Sequence, residues 1–178
     1  MTTTPSEASP SSQNLSPAQY LYSDLEAELA STRKVLERFP EGKGDWRPHE
    51  KSRTIGQLAT HVAELSALGA MVLKADGMNA GERKALAPLN SPAELVTLFD
   101  ERVKMLREAL AGVDYESLEQ DWAIRMGDRV LLSAPRRAMM RTLMINHMIH
   151  HRAQLGVYYR LLGVPVPGTY GPTADEPF

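Results

Sequence analysis

The chain contains no cysteine, no excess of basic residues and no long apolar run. The missing thiols exclude disulfides, thiolate nucleophiles and Cys-ligated zinc. A bound metal would therefore have to rest on His, Asp or Glu. The formal net charge of −2 leaves no surplus of cations to neutralise a phosphate backbone, so nucleic acid is not an expected partner. No stretch approaches the roughly 20 apolar residues of a membrane-spanning helix, so no membrane partner is expected either. The opening residues, MTTTPSEASPSSQNLSP, lack the charged start and apolar core of a secretory signal. Together with the absent thiols, this makes the cytoplasm the expected location.

What is present fits an ordinary globular protein. The 178 residues are 43% hydrophobic and 24% charged, enough for one domain with a real core. Residues 1–15, rich in Ser, Thr and Pro, read as a disordered or loosely docked tail. The folded domain is expected over residues 16–178, ending in a Pro- and Gly-rich tail over 163–178. Short basic pairs such as Arg136-Arg137 read as solvated surface.

Hydrophobic spacing predicts four long helices. Ser16-Pro17 caps the first, and Leu21, Leu25, Leu29, Thr32 and Leu36 recur along it up to Pro40. The second runs from about Ser52 to Lys74, with Ile55, Leu58, Val62, Leu65, Gly69 and Val72 on its stripe. Residues 76–90 read as a connection. Ser91-Pro92-Ala93-Glu94 opens the third, which carries Leu95, Phe99, Val103 and Leu106. Around Gly127-Asp128, residues 121–133 suggest a small β-hairpin. Ser133-Ala134-Pro135 opens the last helix, which continues to Leu162. The expected class is all-α, a four-helix bundle with that one hairpin.

Three of the five histidines lie in NHMIHHRAQ. His147 and His151 are four apart, so both face one side of the last helix, where Leu143, Leu155 and Leu162 continue an apolar face. Such a pair can present two imidazole nitrogens to one metal. His150, three after His147, is about as close to it on the helix, so spacing leaves open which of the two is the second ligand. His61 sits between Leu58 and Leu65 on the second helix and should project into the same core. Three histidines with an open position describe a catalytic type of site. The plainer alternative is three packed, hydrogen-bonded core histidines. His49, in a loop beside Pro48, reads as surface.

The Trp46-Arg47-Pro48 loop followed by TIGQLATHVAEL, and later HMIHHRAQLGVYYRLLGVPVPGTYGPTADE, resemble the DinB/YfiT-like superfamily over roughly residues 16–176. That resemblance implies a four-helix bundle with a three-histidine metal site on His61, His147 and His151, commonly nickel or zinc, in a homodimer. It favours His151 over His150. It implies a metal-dependent hydrolase or a thiol-dependent transferase or isomerase acting on a small-molecule substrate. The rival is a non-catalytic, metal- or small-molecule-binding stress protein.

Around such a site, Glu64 is the one acidic candidate for a catalytic base, against a plainer reading as a solvent-facing helix carboxylate. Gln154 can orient a ligand imidazole through its free ring nitrogen. His150 and Arg152 are further candidates for that outer layer, with surface positions as their alternatives. Tyr170, Asp175 and Glu176 either fold over the mouth of the site or belong to a loose tail. Met140, Met144 and Met148 recur every fourth residue and read as core or dimer interface.

Overall fold

The computed structural model describes residues 15–177. The expected tail at residues 1–15 therefore lies outside the described residues, except for Leu15. Ser16 accepts a hydrogen bond from the Gln19 amide while the Gln19 side chain accepts from the Ser16 amide, and α1 (Pro17–Leu21) follows. The helix expected to run unbroken to Pro40 is interrupted at Tyr22–Asp24, and α2 (Leu25–Glu37) resumes after it. The break lets Arg141 reach both the Leu21 carbonyl and the Asp24 carboxylate.

The helix α3 (Ile55–Lys74) starts at a second reciprocal cap, Thr54 with Gln57. Its buried stripe of Leu58, Val62, Leu65 and Val72 is the centre of the core. Each such side chain contributes about 1.5–3 kcal/mol by leaving water. α4 (Pro92–Leu110), capped by Ser91, lays Leu95, Phe99, Val103 and Leu106 against it. α3 packs on α4 and α7 (His147–Leu161), and α2 packs on the same two helices.

Residues 76–90 hold more than a connection. They include β1 (Gly77–Asn79), which pairs in parallel with β2 (Asp121–Met126), a strand entered from the short α5 (Tyr115–Glu119). β2 turns at Gly127, φ +58°, into the antiparallel β3 (Arg129–Pro135), so the hairpin expected there is present. The result is a mostly helical protein with a three-stranded sheet in the order β1-β2-β3. β1 leaves no mark in the sequence, because three residues carry no periodicity.

Ser133, Ala134 and Pro135 belong to β3, so the last helix opens later than expected. It begins as α6 (Arg136–Met139), passes through a π-helical stretch, Met140–Asn146, and becomes α7. Arg136 is buried, where a solvated surface was expected. Its guanidinium donates to the Val72 and Ala75 carbonyls, closing the C-terminus of α3. Met140, Met144 and Met148 are fully buried and belong to the core of the chain itself.

The tail after α7 is held in place. Arg160 pairs with Asp175, Arg38 with Glu176, and Tyr170 Oη donates to Glu28 at 2.8 Å. Among the described residues no helix is long and apolar enough to cross a membrane.

Candidate metal centre

His61 lies about two turns into α3, and His147 and His151 occupy the first two turns of α7. What brings the helices together is visible at Gly69, two turns beyond His61. A Cβ there would stand 2.9 Å from Met144 Cγ and 3.1 Å from Met140 Sδ. The missing side chain lets α3 approach the π-helical stretch closely, just ahead of His147.

His147 Nε2 then lies 3.3 Å from His61 Nε2 and 2.8 Å from His151 Nε2. Ligand nitrogens about 2.0–2.1 Å from a tetrahedral ion stand roughly 3.3 Å apart, so one of these two spacings matches a shared ion and the other is about half an ångström short of it. The three histidines are placed to hold a metal ion. His150 is exposed, with its ring stacked edgewise against that of His151 at 4.9 Å between centroids, and it does not join the cluster. Sequence spacing left the neighbouring pair undecided, and the fold turns His151 inward.

The outer nitrogens define the chemistry of the inner ones. His147 Nδ1 lies 3.3 Å from the Leu143 carbonyl, which can only accept, so Nδ1 carries the proton. His151 Nδ1 donates likewise to Gln154 Oε1 at 2.7 Å. Both Nε2 atoms are then lone pairs, facing each other with no hydrogen between them. Burial lowers the pKa of both rings. It takes His61 down to about 3, aided by the charges of the two partner rings, Arg53 and Arg83. Three neutral imidazoles with converging lone pairs are a donor set that a divalent cation satisfies.

His61, 8% exposed, lines a cleft of about 530 Å³. Arg53, Gln57, Thr60 and Glu64 line it from α3 and the residue before its cap. Arg83, Leu86 and Pro88 line it from the segment expected to be a mere connection. That segment is tied to α3 by the Leu89 amide, which donates to Thr60 Oγ1 at 2.8 Å. Glu64 is half-buried within the cleft, and desolvation raises its pKa against the opposing pull of Arg83 and Arg102.

Other residues singled out from the sequence lie elsewhere. Arg152, 3% exposed, points away from the histidines and pairs with Glu28, so the surface alternative for it fails. Tyr170, Asp175 and Glu176 bond to Glu28, Arg160 and Arg38 and do not cover the cleft. His49 is exposed, its Nδ1 accepting from the Lys51 amide. Arg53 and Arg83 escaped sequence reading because nothing in their spacing ties a residue before α3 to one after β1.

The model of the DinB family matches residues 12–177. A DinB-like protein from Bacillus cereus has a similar solved structure, with TM-score 0.65, 25% identity, and coverage of 84% of this chain and 95% of that one. A DinB-like protein from Bacillus subtilis follows at TM-score 0.62 and 22% identity, covering 84% of this chain and 96% of that one, a likeness of fold. Among curated proteins none matches.

Proposed function

The chain belongs to the DinB family, and we propose that it is a metal-dependent enzyme acting on a small molecule, either a hydrolase or a thiol-dependent transferase or isomerase. In this reading α2, α3, α4 and the α6–α7 helix make the four-helix bundle of the family, and two chains form a homodimer. One observation carries the proposal: the Nε2 lone pairs of His147 and His151 face each other, with His61 Nε2 beside them and His61 itself lining a cleft.

A divalent ion, zinc or nickel, supplies Lewis acidity at that point when bound. The remaining work falls to the chain's own groups. The Leu143 carbonyl and Gln154 hold two imidazoles in the tautomer and orientation that aim Nε2 inward. The Glu64 carboxyl, whose pKa is raised by desolvation, lines the same cleft and is suited to exchange a proton with a substrate atom there.

Elemental analysis of protein purified without chelators tests the metal. About one ion per chain is expected, lost in His147→Ala, and less than about 0.2 per chain sinks the reading. Metal-loaded protein is then screened against ester and amide substrates and against thiol–electrophile pairs. Turnover that disappears in His147→Ala establishes an enzyme. Full metal content without turnover supports the non-catalytic binding protein instead.

A further inference from the structure

We infer that the substrate is a small organic anion whose carboxylate or phosphate group is held by Arg53 and Arg83, with the remainder of the molecule directed at the three histidines. The inference rests on the metal-enzyme reading and adds the chemical class of what enters the cleft.

Both arginines line the cleft that His61 also lines. They come from different segments, Arg53 from just before α3 and Arg83 from just after the 3₁₀ turn Ala80–Glu82. Among the described residues neither is paired with a carboxylate, whereas Arg33, Arg107, Arg141 and Arg160 all are. Glu64 is the only acidic side chain in the lining and forms no hydrogen bond with either arginine, so one carboxylate stands against two cations. A divalent ion on neutral imidazoles adds positive charge. The cleft therefore attracts anions, and planar guanidinium groups bind carboxylate or phosphate oxygens through paired N–H donors.

The backbone beneath Arg53 is fixed. Its carbonyl accepts from Tyr158 Oη at 3.4 Å, and Tyr158 packs edge-on against Trp46 with ring centroids 5.5 Å apart. The Arg83 segment is strapped to α3 by Thr60, one turn from Gln57 and next to His61. Both arginines, exposed to solvent, thus line one cleft, Arg53 beside a backbone carbonyl held by Tyr158 and Arg83 in a segment tied to α3 further along, at Leu89. An anion between them would place its neighbouring atoms toward His61 and Glu64.

Isothermal titration of the full chain with succinate and with inorganic phosphate tests this, in metal-loaded and chelator-treated protein. The double variant Arg53→Gln/Arg83→Gln is compared with Arg129→Gln, which removes a charge at the exposed tip of the β2–β3 hairpin. Binding of one or both probes is expected with and without metal, about tenfold weaker or more in the double variant, unchanged in Arg129→Gln, and weakened by salt. The probe bound more tightly identifies carboxylate or phosphate as the group recognised. Equal binding by wild type and double variant, or no binding of either probe by wild type, overturns the inference. Metal content, measured on the same samples, reports separately on the metal reading, because neither arginine is among the candidate ligands. Circular dichroism confirms that the double variant is folded.

Discussion

The Arg152 guanidinium meets the Glu28 carboxylate at 2.7 Å between α7 and α2, with both side chains almost wholly withdrawn from water. Arg152 also donates to the Glu28 carbonyl and to Thr32 Oγ1, and it stacks over the Tyr170 ring at 5.3 Å. Adjacent in sequence to His151, it occupies a different layer of the molecule, because successive residues of an α-helix point about 100° apart. The pair and the histidine cluster therefore stand on separate faces of α7 and can be perturbed separately.

Replacing Arg152 by Met should destabilise the protein by about 3–5 kcal/mol, since the buried Glu28 side chain loses its cationic partner in the interior. Tyr170→Phe, which removes one hydrogen bond from the same carboxylate, should cost about 1 kcal/mol. Urea denaturation measures both. Metal content should be unchanged in each variant that remains folded, and a loss of metal in Tyr170→Phe would contradict the separation of the two layers.

Gln154→Leu should weaken metal affinity about 10–100-fold while leaving the melting temperature of the metal-free protein nearly unchanged. The variant removes the acceptor that holds His151 Nδ1–H at 2.7 Å. Gln154→Glu retains an acceptor and should restore binding. His150→Ala, outside the cluster, should bind as wild type does. Competition with a chromophoric chelator gives the affinities.

Gly69→Val tests whether close approach of α3 to the π-helical stretch sets up the site. The new side chain has no room beside Met144, Met140 and Leu106, and overpacking of this kind costs about 1–3 kcal/mol. Any outward shift of α3 carries His61 away from His147. Thermal unfolding should show the loss of stability, and metal affinity should fall although no ligand has been touched. Unchanged affinity would mean that the crossing at Gly69 does not govern the site.

Tyr22 supplies a pH dependence away from the histidines. Burial raises its pKa to about 12, against the lowering pull of Arg141 and Arg137, and its hydroxyl donates to the Arg137 carbonyl. The unfolded chain releases this proton near the ordinary tyrosine value of 10. Between about pH 10 and 12 the folded state thus binds more protons, and stability falls as pH rises through that window. Tyr22→Phe should flatten this part of the stability profile. Ultraviolet titration should show Tyr22 among the last tyrosines to ionise.

What the sequence determined by itself was local. His147 and His151 had to share a face because four residues make little more than one helical turn, and Gly127 could supply the positive φ of a hairpin because it has no Cβ. Ser16 and Ser91 marked helix starts because their side chains satisfy amides that the helix leaves open. Tertiary packing alone decided the rest. It brought His61 from another helix to within 3.3 Å of His147 and turned His151 inward, leaving His150 outside. It buried Arg136 and Arg152, and it brought Arg53 and Arg83 into the lining of one cleft. Helical periodicity repeats over a few residues and can be read from them. The meeting of distant segments depends on how whole faces fit together, including the space left at Gly69, and no local pattern encodes that fit.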